Sequence, residues 1–283
     1  MPDPARAGRS SHSPDILVIG GASLDVLHLG ERTVTAAGGA GLYTALAACA
    51  AGAKVCLLAP RSDPLPDLLG PVAQRLTWIG PLVSLDQLPR LEIAHHGGGR
   101  ATLINASWGA VASLTPEALP SDLSGISIAH VAALPAADHQ LAFVQAVRAR
   151  SVARVSAGTY ARLISTERER VRDVFDAVDL FFMNENEASL LFGGVEAVRA
   201  RSGQIAFVTL GERGAVVMQE GRVTHVPGQP AVEVDPTGAG DTFCGAVLAG
   251  LARGENVVSA ARKGVAMAAE MIGAIGPARL LSG

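Results

Sequence analysis

From residue 16 onward, short runs of unbroken apolar residues alternate with longer stretches whose apolar positions recur at helical spacing. The apolar runs at 16–20, 54–59, 126–132, 153–157, 179–183, 205–210 and 215–219 predict strands. Helices are predicted near 40–52, 138–150, 167–178 and 185–192, with 239–252 and 255–274 closing the chain. A strand that is apolar at every position is buried on both faces, and helices between such strands supply the cover. The pattern therefore predicts an α/β fold with a mostly parallel central sheet. Two segments break this rhythm. Residues 22–36 and 90–108 alternate apolar and polar positions around glycine-containing turns, which reads as hairpins outside the parallel core. They form either a small β lid over a cleft or plain surface hairpins. The polar stretch 1–14 is predicted to be a flexible tail, and 15–283 a single domain, since no repeat or low-complexity linker divides it.

Composition narrows the function. The chain has 283 residues, 49% of them apolar and 17% charged, enough for a sizeable core and too apolar for wholesale disorder. A net charge of −3 without a basic run argues against nucleic-acid or anionic-membrane partners. The longest uncharged run, 33–53, is rich in Gly and Ala and reads as a loop followed by a packed helix, not a membrane span. Cys49, Cys56 and Cys244 stand apart without a CxxC pair, as in a protein of a reducing, cytoplasmic compartment. Lys54 and Lys263 are the only lysines. Any phosphate chemistry must therefore rest on backbone amides, a metal ion or arginine.

The stretch "VDPTGAGDTFCGAVLAGLA", 234–252, meets that requirement. Pro236 keeps Asp235 out of helix, and Gly238 and Gly240 open backbone angles that other residues avoid. Phe243, Val247 and Leu251 then mark the buried face of a helix. Free N–H groups over 238–241 and the positive end of the helix dipole make an anion hole that needs no lysine. Asp241 sits at its mouth. It either caps the helix, as acidic residues there commonly do, or takes a proton from a substrate hydroxyl while the amides hold a phosphoryl group.

This stretch resembles the C-terminal signature of the PfkB-type carbohydrate kinases, the ribokinase-like family, and the resemblance extends over the chain after residue 14. It implies a three-layer ribokinase-like kinase domain with a small β lid, acting with ATP and Mg²⁺. It makes Asp241 the catalytic base and the amides of Gly238, Ala239 and Gly240 the anion hole, and it associates Asp235 with a monovalent cation such as K⁺ in many members. "NENE" at 184–187 is similar to the family's Asn-x-x-Glu motif, so that Asn184 and Glu187 would organise Mg²⁺ through water; by itself the same spacing is a helix cap. "VTLGERGA" at 208–215 resembles the nucleotide strand-turn, with Thr209, Gly211 and Gly214 bordering ATP. Asp25 in "GGASLDV" matches the hydroxyl-binding carboxylate, and Gly38 and Gly39 the backbone lining the sugar pocket.

Two departures touch the acceptor and not the chemistry. Tyr43 stands where many sugar kinases have Asn, and its ring could stack on a sugar or a base; Ala157, Gly158 and Thr159 replace an Asp common near that strand end. The acceptor is accordingly a sugar or polyol hydroxyl, with a nucleoside as the alternative on the same scaffold. A silent sugar- or nucleotide-binding regulator is a further alternative, disfavoured by the intact Asp241 and Gly-Ala-Gly. No P-loop occurs, and "VIGGAS" lacks the G-x-G-x-x-G spacing of a dinucleotide fold. His95 and His96 are adjacent on a predicted strand and face opposite ways, which argues against a metal pair. Trp108 could stack or simply pack, and Arg100 could close over a phosphate. An exposed lid sheet offers edges through which a second copy could pair as a homodimer.

Overall fold

The computed structural model describes residues 15–98 and 101–282; the tail expected over 1–14 and Arg100 lie outside the described residues. Nine strands form the central sheet: β1 (Ile16–Ile19), β4 (Val55–Leu58), β6 (Thr77–Ile79), β10 (Ile128–Val131), β11 (Arg154–Gly158), β12 (Leu180–Asn184), β13 (Ile205–Thr209), β14 (Ala215–Gln219) and β15 (Arg222–Val226). Their order is β15-β14-β13-β12-β11-β10-β1-β4-β6. Every neighbouring pair is parallel except β13 with β14 and β14 with β15, which are antiparallel. The expected mostly parallel sheet is present, and it is longer than the apolar runs alone suggested.

Alternation along β1 shows how two cores arise from one sheet. Ile16 and Val18 join the cluster under α1 (Ala40–Ala50), α6 (Ala239–Ala252) and α7 (Val257–Met271). Leu17 and Ile19 join the cluster under α3 (Ala137–Ala149), α4 (Ala161–Ala177) and α5 (Glu185–Phe192). With apolar side chains needed on both faces, the strand has no polar position to spare. The small residues of α1 and α6 let those helices touch closely. A Cβ built on Gly245 would lie 2.2 Å from the Thr44 carbonyl oxygen, so the pair would have to separate to admit any side chain.

The two off-rhythm segments form one separate four-stranded sheet of β2 (Ser23–Leu29), β3 (Arg32–Gly38), β8 (Arg90–His95) and β9 (Ala101–Ser107), ordered β3-β2-β8-β9. Each predicted hairpin is antiparallel within itself, and the two are joined through β2 and β8, which run parallel. Short paired strands β5 (Arg61–Ser62) and β7 (Leu82–Val83), and helices α2 (Gly70–Arg75) and α8 (Ala278–Leu281), complete the elements that bear on the description. No helix among the described residues is long and apolar enough to cross a membrane.

Some boundaries differ from expectation. The fourth helix begins at Ala161 instead of 167 and leaves helical backbone at Glu167 (φ −135°, ψ 39°), whose carboxylate turns aside to accept the Ala137 amide at 2.8 Å. Polar residues around that kink hide the periodicity of its first turns. β15 went unforeseen because "RVTHV" is largely exposed, and β6 because it is only three residues long.

Candidate active site

The carboxyl ends of the parallel strands collect the residues singled out by sequence, as expected of ligand sites in open α/β sheets. Gly20 and Gly21 follow β1, Asn184 closes β12, and Thr209 closes β13 directly opposite Asn184 in the strand register. The N-terminus of α6 opens at the same edge.

At that mouth Gly238 is the N-cap with left-handed backbone (φ 77°), and no side chain caps the helix. Asp241 therefore makes no capping hydrogen bond and stands in the first turn, three residues past the N-cap. The Ala239 amide donates to the Pro236 carbonyl at 3.2 Å, so the first-turn donors left without an acceptor are those beyond it, at Gly240 and Asp241. Nothing lies within 4 Å of a Cβ built on Gly240. Low solvation raises the Asp241 pKa to about 6. A carboxylate in that range is a stronger base than an ordinary Asp and still ionised at neutral pH.

Asn184 and Glu187 close on each other instead. The Glu187 amide donates to Asn184 Oδ1 at 2.9 Å, the Asn184 amide donates to Glu187 Oε2 at 2.8 Å, and Asn184 Nδ2 donates to Oε1 at 2.8 Å. This is a full capping box on α5. Burial raises the Glu187 pKa to about 8, and the charge of Asp241 pushes in the same direction. Both carboxylate oxygens already accept hydrogen bonds, so the donor set does not fit direct metal ligation. It does fit a hydrated Mg²⁺ held through water, since Mg²⁺ keeps much of its shell and the two carboxylates repel until a cation stands near.

Asp25 lies across the cleft on β2 and is 1% exposed. Its Oδ1 accepts the Leu91 amide of β8 at 3.3 Å, while Oδ2 has no partner. Burial lifts its pKa to about 6; the Ser23 hydroxyl and the Leu91 amide pull downward, and Asp235 pushes upward. Ser23 lies near but not aligned for a hydrogen bond. Gly38 makes room for the carboxylate, because a Cβ there would sit 1.9 Å from Oδ2. A Cβ on Gly39, at φ 98°, would lie 2.6 Å from the Gly21 carbonyl oxygen. The structure thus brings Gly38 against the one orphaned oxygen of Asp25, with Gly39 next to it packed on Gly21 and Ser23. Gly211 (φ 60°) and Gly214 (φ 91°) shape the turn after Thr209, and a Cβ on Gly214 would run into the Val226 carbonyl at 2.1 Å.

Tyr43 corrects one expectation. Its side chain is 1% exposed, and a Cβ on Gly238 would fall 2.4 Å from the ring, so Gly238 lies flat against it. The ring forms the floor of the motif loop and has no free face there for stacking on a substrate. Burial drives its hydroxyl pKa well up, and Asp235, Asp25 and Asp241 add to the effect. Trp108 packs at a tilt on Tyr160, with ring centroids 5.6 Å apart.

Asp235 is fully buried and surrounded by hydrogen-bond donors. The Thr237 amide donates to Oδ1 at 2.9 Å and the Gly276 amide to Oδ2 at 2.8 Å. His95 Nε2, from β8, lies 3.4 Å from Oδ1 and 2.9 Å from the Thr237 hydroxyl. A cation site needs converging oxygens with free lone pairs, and here N–H groups converge, so this carboxylate does not fit a monovalent cation. Among the described residues, no cluster of three His, Cys, Asp or Glu could hold a metal ion. In sequence, His95 and its neighbour read only as an unpromising metal pair. Strand alternation was the signal that placed it on the face opposite His96, but nothing local revealed the loop it meets, 142 positions away.

The profile of the "pfkB family carbohydrate kinase" family matches residues 83–282, a span that includes both NENE and the open helix mouth. The chain belongs to the PfkB family of carbohydrate kinases. It is a kinase, a phosphotransferase with an alcohol group as acceptor, and kinases of this family use ATP. The chain is 28% identical to a cytidine kinase of Thermococcus kodakarensis over 269 residues, covering 91% of this chain and 96% of that one. It is 36% identical to a fructokinase of Klebsiella pneumoniae over 93 residues, covering 29% of this chain and 30% of the other. An adenosine kinase structure from Sinorhizobium meliloti superposes with a TM-score of 0.80 at 22% identity, covering 93% of this chain and 95% of that chain, which shows the shared ribokinase-like fold.

Proposed function

We propose that this PfkB kinase phosphorylates a hydroxyl of a ribonucleoside, with Asp241 as the base. The carrying observation is the uncapped mouth of α6, where an unengaged carboxylate of raised pKa stands beside first-turn amides that have no acceptor. The acceptor hydroxyl gives its proton to Asp241 as its oxygen bonds to the γ-phosphorus. The bond from that phosphorus to the β-γ bridging oxygen breaks, and ADP leaves. The Gly240 and Asp241 amides and the helix dipole stabilise the charge on the transferring group, with Gly238 and Ala239 shaping the turn that exposes them. Thr209, Gly211 and Gly214 border the nucleotide. Bound Mg²⁺, held through water near Glu187 and Asn184, would neutralise phosphate charge.

Asp25 Oδ2, a buried acceptor without a donor, is suited to a sugar hydroxyl over the Gly38–Gly39 floor. The four-stranded sheet acts as a lid that carries Asp25 and His95 and excludes water from the reaction. A nucleoside is favoured over a free sugar because the likeness to a cytidine kinase runs nearly end to end, whereas the likeness to the fructokinase spans less than a third of the chain. The higher identity of that shorter match supports the second reading, a free sugar or polyol. Use of ATP and three unpaired thiols suit a cytoplasmic enzyme.

The test is ATP-dependent phosphorylation across cytidine, adenosine, inosine, ribose, fructose and inositols. The proposal expects the highest kcat/KM among the nucleosides. A preference for ribose or fructose would replace it with the second reading. ATP binding with no acceptor turned over at all would leave the regulator.

A further inference from the structure

His95 brings the lid to the motif loop. Its side chain is 6% exposed, its Nε2 faces both the Thr237 hydroxyl and Asp235 Oδ1, and its Nδ1 is buried without a partner. A carboxylate can only accept, so an Nε2 lone pair 3.4 Å from Asp235 would be repelled; this assigns the proton to Nε2, where it lies between the Thr237 hydroxyl at 2.9 Å and Asp235 Oδ1 and serves both. The Thr237 and Gly276 amides supply the other donors, and the Asp235 amide is itself tied to the Ile272 carbonyl at 3.1 Å. The loop that ends in the Gly238 turn is thus held from three sides: by its own Asx turn, by the 272–276 segment, and by the lid.

We propose that His95 is a positioning residue that compensates the buried Asp235 in place of a monovalent cation, so that lid closure completes the anion-hole loop and no such cation is needed. Within the PfkB resemblance Asp235 is the cation-associated position, and here a side chain delivered by the lid stands 3.4 Å from its Oδ1. When the lid lifts, His95 leaves with it and Asp235 keeps only its two amide donors. The loop beneath the phosphate site is then less firmly held. Compensation for the carboxylate becomes conditional on closure, which ties formation of the anion hole to exclusion of water.

The test uses the full-length protein in KCl, NaCl and tetramethylammonium chloride at equal ionic strength, read by thermal melting, by hydrogen exchange of the 235–238 amides and by turnover. Wild type is expected to show the same Tm, protection and kcat in all three salts. His95→Ala is expected to lose protection at 235–238 and, by the usual scale of a lost supporting contact, about 10–100-fold in kcat in tetramethylammonium. K⁺ should partly restore both and raise the variant's Tm, as a ligand bound only to the folded state does. His95→Gln, which keeps a donor, should stay indifferent to the cation, and it serves as the working variant if His95→Ala does not fold. A wild-type requirement for K⁺ overturns the proposal, as does a folded His95→Ala that shows no cation response. The melting and exchange readouts do not depend on the kinase reading, whereas the turnover readout does, so failure of one is distinguishable from failure of the other.

Discussion

Two helices begin at the same edge of the sheet, close enough that the charge of Asp241 bears on Glu187, and they begin in opposite ways. α5 satisfies itself: Asn184 and Glu187 exchange hydrogen bonds through both side chains and both amides. α6 begins on a left-handed glycine with no capping side chain, and its acidic residue, Asp241, stands three positions in and takes no part in capping. Both sequences read as an acidic helix start. A carboxylate at a helix N-terminus therefore does not announce its role; what separates the two is whether a neighbouring side chain has already taken the amides. The closed mouth has spent its donors on its own side chains. The open mouth keeps its donors for something that arrives from outside.

The largest effect expected from breaking this contrast is at Asp241. Asp241→Asn keeps shape and one oxygen but cannot take a proton, so kcat should fall by about 10²–10⁴-fold with the melting temperature nearly unchanged. Near-normal turnover in a folded variant would remove the base from the mechanism. Gly238→Ala comes next, because it forces a side chain into a left-handed position and onto the Tyr43 ring. It should cost about 1–3 kcal/mol of stability and most of the turnover, measured by denaturant unfolding and steady-state kinetics. An alanine accepted without loss of either would mean that the loop is not built on that contact.

Asp25→Ala sharpens the contrast from the far side of the cleft. A hydroxyl held by a buried charged group contributes about 1.5–3 kcal/mol, so the acceptor KM should rise about 10–100-fold while ATP affinity by calorimetry stays constant. An equal loss of ATP affinity would put Asp25 in the wrong subsite. Glu187→Gln should move the Mg²⁺ concentration for half-maximal turnover upward by about 10-fold or more if water-mediated contact is its role, and leave it unmoved if the capping box is all that it does.

The smallest effect is one of pH. Glu187 titrates near 8 when folded, above its ordinary value, so between the unfolded and folded pKa the native state holds the extra proton. Its contribution is fully present at low pH and is lost as pH rises through about 8. Gln never ionises, so the stability of Glu187→Gln relative to wild type should improve steadily from pH about 5 to about 8 in urea titrations, then level off. A flat difference would show that Glu187 is already ionised in the ligand-free fold.

How much of this was legible in the chain follows from the range of the forces involved. The β1 pattern and the α6 face are local consequences of burial, and the apolar run 16–20 and the Phe243–Val247–Leu251 spacing displayed them directly. The glycines of 238–240 carried the anion hole because backbone freedom is a property of the residue itself. Tyr43 misled because an aromatic beside glycines reads as a stacking platform, whereas its face is filled by Gly238, 195 positions later in the chain. His95 and the parallel pairing of β2 with β8 were hidden for the same reason: each depends on where a distant segment comes to rest. Whether a cap is occupied is also decided by side-chain geometry, which is why NENE and GAGD looked alike until the bonds of each were laid out.

The contrast between the two helix mouths is tested most directly by amide-resolved NMR of the full-length protein, titrated with a non-hydrolysable ATP analogue and Mg²⁺. The account predicts large shifts for the Gly240 and Asp241 amides, which have no acceptor, and little change for the Glu187 amide, which Asn184 Oδ1 already holds at 2.9 Å. Saturable shifts at the start of α5, with the α6 amides unmoved, would contradict it.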